Sequence, residues 1–125
     1  MKWLNKTREF LHPPPPERSV RAVLTTTELR VTLADGTTET MPRNTIQEIG
    51  IRTTDTGPFV EDVYWAVSDG PTTLHIPQAS PDFGTLLEEF GKLSGFSHER
   101  VIEAMGCTQN QYFVCWRKSA TGSAA

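Results

Sequence analysis

Between positions 53 and 67 the chain reads "TTDTGPFVEDVYWAV", which sets Asp55, Glu61 and Asp62 close to Tyr64, and the next apolar run, "TTLHIP", carries His75. A carboxylate beside a histidine can move a proton or hold a hard cation, so Asp55, Asp62 and His75 have the types that general acid–base chemistry or metal binding needs. Phe59 and Tyr64 suit another task. An aromatic ring brings apolar area to an interface, and a tyrosine adds a polar tip. Serine-nucleophile elbows, Walker loops, dinucleotide fingerprints and H-E-x-x-H pairs do not occur, so no cofactor is implied. Ser97, His98 and Glu99 have the types of a catalytic triad, but consecutive residues at a helix start do not face one another. They read as a cap and first-turn charges. Cys107 and Cys115 stand without a C-x-x-C or a Cys/His cluster, too few soft ligands for zinc. Two reduced, partly buried thiols in a cytoplasmic protein are expected.

What positions these groups is a change of period along the chain. From Ser19 the pattern is two: Val20, Ala22 and Leu24 alternate, then Leu29, Val31 and Leu33, with "TTTE" as the turn between them. "ADG" at 34 to 36 is a second turn of the Asp-Gly kind, Thr37 to Met41 is a polar strand broken by Pro42, and Ile49 with Ile51 forms the inward set of the next strand. Asp55 to Pro58 carry turn chemistry, and Glu61 to Val67 alternate, with Val63, Trp65 and Val67 on one face and Asp62, Tyr64 and Ala66 on the other. A four-residue loop "SDGP" then predicts Trp65 opposite Leu74 and Tyr64 opposite His75 on the outer face. An outer sheet face is ordinarily solvated, which argues for contact rather than catalysis there.

After Ser80 the period becomes 3.6. Ser80 is the expected N-cap, Pro81 the first helical residue, and Phe83, Leu86, Leu87, Phe90 and Leu93 form the inward stripe as far as Gly95. Ser97 caps a shorter helix expected to turn Val101, Ile102 and Met105 inward before Gly106. "QYFVCWRK" is β-rich and apolar on both faces, Tyr112, Val114 and Trp116 on one and Phe113 and Cys115 on the other. Helices, the N-terminal arm or a dimer mate are its candidate covers. Trp65 and Trp116 are expected in the core. The fold class that follows is α+β: an antiparallel meander sheet of about six strands, two C-terminal helices and a final strand.

The 125 residues suffice for one domain with a real core, and a hydrophobic fraction of 37% argues against disorder over its body. Twelve basic and fifteen acidic residues are interspersed, giving a formal charge of −3, so no basic stripe offers itself to nucleic acid. "PPPP" at 13 to 16 is a stiff spacer that separates an arm, residues 1–18, from the domain at 19–118; "SATGSAA" reads as a disordered tail over 119–125. In the arm, Trp3, Leu4, Phe10 and Leu11 share one face of a short helix, with three basic residues around them. That is a weak signal for a membrane surface, and docking on its own domain or on a dimer mate is the expectation. No apolar run reaches membrane-span length and "MKWLNKTREFLH" lacks a secretory apolar core, which points to the cytoplasm.

The run "VRAVLTTTELRVTLADGTTETMPRNTIQEIGIRT" resembles small bacterial pleckstrin-homology-like proteins: strand, turn, strand, Asp-Gly turn, polar strand ending near a proline, then I-x-x-I-x-I. With "DTGPFVEDVYW", "IP", "GF", "VIEAM" and "FVCW" it is similar to an uncharacterised family of small bacterial proteins over roughly residues 18 to 118. The resemblance implies a PH-like half-barrel and carries no activity and no functional residue. Phosphoinositide-binding members of the pleckstrin-homology group use a basic first hairpin, whereas here the turn is "TTTE" with only Arg21 and Arg30 near it.

Three readings in different classes follow. The first and preferred one is a non-catalytic interaction module that binds a protein partner or its own copy as a homo-oligomer, through Trp3, Leu4, Phe10 and Leu11 of the arm, Asp55, Phe59, Asp62 and Tyr64 of the 54 to 64 loop, and His75. The second is a small enzyme using Asp55, Asp62 and His75. The third is an immunity-type inhibitor of a bacterial toxin, which suits a small, mildly acidic single domain.

Overall fold

The computed structural model describes residues 20–54 and 63–118. The arm residues Trp3, Leu4, Phe10 and Leu11, the loop residues Asp55, Phe59 and Asp62, and the tail from 119 lie outside the described residues.

Strands β1 (Arg21–Leu24), β2 (Glu28–Thr32) and β3 (Thr38–Pro42) pair antiparallel in the order β1-β2-β3. Leu29, Val31 and Met41 are buried while Arg30 and Thr40 are exposed, which is what period two imposes on a sheet with one covered face. Both turns are closed by side chains. The Thr25 hydroxyl accepts from the amides of Thr27 and Glu28 at 3.1 and 3.0 Å, and the Asp35 carboxylate accepts from Thr37 at 2.8 Å beside Gly36, whose φ of +90° glycine reaches without strain. After Pro42 a single 3₁₀ turn, Arg43–Thr45, delivers Ile46 to the core.

Strands β4 (Glu48–Thr53), β5 (Val63–Ser68), β6 (Thr73–Pro77) and β7 (Gln111–Arg117) form a second antiparallel sheet in the order β6-β5-β4-β7. The fold is thus α+β, with six strands in meander order, two helices and a final strand. The meander is divided between β3 and β4, and the last strand returns to pair with β4. The β5–β6 register differs from expectation by two residues: Trp65 faces Ile76, Val67 faces Leu74 and Ala66, not Tyr64, faces His75. The loop is residues 69–72 instead of 68–71, because Ser68 joins the ladder opposite Thr73 while Asp69 accepts from the Thr72 amide at 2.9 Å and the Ser68 hydroxyl from Gly70 at 3.0 Å. A slip of two keeps every side chain on its expected face.

Helix α1 (Phe83–Phe90) buries Phe83, Leu86 and Phe90 against Trp65, whose indole stacks on Phe83 at 5.1 Å, meets Phe90 edge-on at 5.0 Å and donates to the Phe83 carbonyl at 3.1 Å. The helix begins at Phe83, later than the Ser80 cap implies. Ser80 is buried and committed elsewhere: its hydroxyl donates to the Val20 carbonyl at 2.7 Å. Helix α2 (His98–Met105) is capped as expected by Ser97, which accepts from the Arg100 amide at 3.3 Å. Its buried stripe, however, is Val101 and Ala104; Ile102 is 71% exposed and Met105 40% exposed. Eight residues leave room for one narrow stripe, and the i, i+3 pair with the smaller side chain seats the helix closest.

In β7 the ladder shifts between Ile49 and Gly50, so that Trp116 faces Ile49, Val114 faces Gly50 and Cys115 is the extra residue of a bulge. The bulge breaks the expected alternation. Trp116 leaves the face of Tyr112 and Val114, packs against the core beside Phe90 and Leu93, and donates to the Ser94 carbonyl at 2.9 Å. Helix α2 packs against this strand, which answers how its core side is covered.

Each helix start also closes a sheet edge. Just before β1 the Val20 carbonyl takes Ser80, and on β1 the outward Ala22 amide donates to Asp82 at 2.8 Å. On β7 the outward Cys115 carbonyl takes the Ser97 amide at 2.8 Å. The other two edge strands, β3 and β6, both end in proline, which has no amide to offer a further strand.

Candidate functional site

The side of the four-stranded sheet away from Trp65 carries the described candidates. Register places Tyr64, Arg52 and Tyr112 on one rung across β5, β4 and β7, and His75, Ala66, Gly50 and Val114 on the next. Tyr64 and His75 are therefore diagonal neighbours rather than directly opposed, and their rings meet edge-on with centroids 6.4 Å apart.

Gly50 organises the face. It has no side chain, so the Tyr112 ring lies over it; a Cβ built there would come within 2.5 Å of the ring and its hydroxyl. The ring's position lets the phenol donate to Glu48 Oε2 at 2.8 Å, while Arg117 Nε donates to Glu48 Oε1 at 2.9 Å. The hydrogen bond from Tyr112, with help from Arg117, holds the Glu48 carboxyl below its ordinary range against its own desolvation. Burial, and then the bond to Glu48, pushes the Tyr112 phenol far up, so it stays a donor at every physiological pH. Arg52 stands over the same ring, its Cζ 5.2 Å from the centroid, in cation–π geometry. His75 titrates below its usual value because it is partly desolvated and because Arg52 repels its charged form. Although on the outer side, Ala66 is buried at 3% exposure.

Of the residues singled out in the sequence, the structure brings Tyr64 and His75 onto one face; Asp55, Phe59, Asp62 and the arm are outside the described residues. Arg52, Tyr112, Glu48 and Gly50 were not singled out. The available signal was Gly50 itself, since a glycine inside a strand marks close approach of something else. What approaches depends on β7 joining β4, a pairing 60 residues away that no local pattern announces.

A groove of about 510 Å³ also runs between β1, β2 and α1, past Val23, Thr32 and Thr85. Its charges are engaged within the protein: Arg21 with Asp82 at 2.9 Å and Arg30 with Glu28 at 2.7 Å. The hydrogen bond from Arg21, then the amide of Ala22, keeps the Asp82 carboxyl below its normal value. Among the described residues no three His, Cys, Asp or Glu side chains gather as a metal site. Cys107 and Cys115 are not joined; burial pushes the Cys115 thiol up to about 11. No helix among the described residues is long and apolar enough to cross a membrane. Comparisons with protein-family models, with curated proteins and with solved structures each found no match to this chain.

Proposed function

We propose that the chain is a non-catalytic, pleckstrin-homology-like interaction module that holds a protein partner on the outer face of its four-stranded sheet. The observation that carries this reading is the rung Tyr64–Arg52–Tyr112. A free sheet face is normally polar, whereas this one presents two tyrosines around an arginine, the residue types in which interfaces concentrate their binding energy. The surroundings of His75 suit a contact role: desolvation, and then the neighbouring Arg52 charge, lower its basicity. The split antiparallel meander with α1 packed on it supports the PH-like outline, to which β7 is an addition. A bacterial cytoplasm, where unpaired thiols persist, belongs to the same reading.

The test is affinity capture with quantitative mass spectrometry, comparing wild type with the doubly substituted Arg52→Ala, Tyr64→Ala chain, after circular dichroism has shown both folded. Light scattering on the same samples registers self-association. A protein, or a second copy, held by wild type and lost by the variant is the expected result. Identical captured sets together with two unchanged monomers overturn the reading.

A further inference from the structure

We infer that the partner segment seated on this face is acidic, with Arg52 as the receptor for one of its carboxylates; the inference rests on the interaction reading above. The described chain has six arginines, and five of them reach an oxygen. Arg21, Arg30, Arg100 and Arg117 each bind a carboxylate, and Arg43 donates to the Thr25 carbonyl at 2.9 Å. Arg52 is the exception among the described residues: its recorded contact is the Tyr112 ring.

The surroundings make that exception specific. Glu48, the carboxylate four positions earlier on the same face of β4, already takes Tyr112 and Arg117, so its charge is answered. His75 adds no lasting charge at neutral pH, because desolvation, and then Arg52, favour its neutral form. Among the described residues Arg52 is left as the arginine without an oxygen partner, flanked by Tyr64 and Tyr112. A guanidinium carried over a ring keeps its N–H edge available, and that edge matches a carboxylate with two parallel hydrogen bonds. The flanking rings exclude water from such a pair and strengthen it. A guanidinium with aromatic walls and no carboxylate partner among the described residues suits a single carboxylate on a protein segment. An anionic membrane surface draws instead on a cluster of basic residues, which this face lacks among the described residues.

The experiment uses the full chain and three immobilised peptide libraries, identical random heptamers with Glu, Lys or Leu fixed at the centre, alongside vesicles of anionic phospholipid. Three proteins are compared: wild type, Arg52→Gln, and Lys92→Gln as a charge-matched control just after α1. Wild type is expected to be retained about tenfold better on the Glu library than on the Lys library, as loss of one charge-assisted bond implies. Arg52→Gln abolishes that preference and Lys92→Gln preserves it. Equal retention on Glu and Lys, or a preference that survives Arg52→Gln, overturns the inference. So does binding to vesicles alone, or an Arg52-dependent dimer without library preference. Retention confined to the Leu library removes the acidic partner and leaves the interaction module standing; retention on none of the three removes both.

Discussion

Replacing Gly50 by alanine tests whether the outer face is organised as described. A glycine in a strand interior normally gains stability on becoming alanine, by about 0.5–1 kcal/mol, because the unfolded chain loses freedom. Here the added Cβ arrives 2.5 Å from the far end of the Tyr112 ring. The ring can swing away, so the penalty is what it must release. Its bond to the Glu48 carboxylate is worth about 1–2 kcal/mol at this half-exposed site, and the Arg52 contact adds about 0.5–1 kcal/mol. Net of the glycine gain, Gly50→Ala should destabilise by about 1–2 kcal/mol and lower Tm by roughly 5–10 °C. The assay is urea and thermal unfolding of Gly50→Ala, Tyr112→Ala and the double variant. In the Tyr112→Ala background the same substitution should become neutral or stabilising, since nothing remains to be displaced. A stabilising Gly50→Ala in the wild-type background, or an equal loss in both backgrounds, would refute the reasoning.

Three further outcomes are expected. Asp82→Ala, which removes the bonds to Arg21 and the Ala22 amide, should lower stability by about 1–2 kcal/mol at pH 7. Because the folded-state Asp82 pKa is depressed, its stabilisation is full above the ordinary carboxylate range and is lost as pH falls through the folded value. Urea midpoints of variant and wild type should therefore converge as pH falls below the ordinary carboxylate range. On α2, Ile102→Glu should change stability by less than about 0.5 kcal/mol, whereas Ala104→Leu should cost about 1–3 kcal/mol by overpacking, and chemical denaturation that ranks them the other way removes the assigned helix face. Ellman's reagent should report Cys107 in the native protein and Cys115 only after unfolding, since Cys115 is 2% exposed with a raised pKa; two fast thiols would contradict its burial.

Local patterns made the elements legible, while long-range pairing stayed hidden. Leu29, Val31, Trp65 and Val67 alternate with polar neighbours and are buried as their period demands, and Phe83, Leu86 and Phe90 do the same at helical spacing. Ser80 shows where such reading stops: its type suits a helix cap, but its hydroxyl donates to the Val20 carbonyl just before β1, 60 residues earlier. Ile102 and Met105 satisfy a 3.6-residue stripe as well as Ala104 does, and only the close approach to the sheet selects the smaller residue. Trp116 was displaced from its expected face by a bulge, whose extra residue leaves no mark in an apolar run. Of the candidate site, Tyr64 and His75 could be placed on the outer face from alternation alone, although the hairpin register sets them diagonal instead of opposed. Arg52 gained significance only when β7 set Tyr112 beside it.

The ties from Ser80, Asp82 and Ser97 to the strand edges make helix docking and edge protection a single event. A fluctuation that lifts the segment from Ser80 to Met105 off the sheets uncovers the apolar faces of Trp65 and Ile76, and at the same moment frees outward hydrogen-bonding groups on β1 and β7. The other two edge strands, β3 and β6, are the ones already ended by proline. The aggregation hazard of this protein thus resides in a partly opened form with the helices detached, not in the native surface. Amides of α1 and α2 should then exchange with solvent together, and the rate of that exchange, more than global stability, should set how long concentrated solutions remain clear.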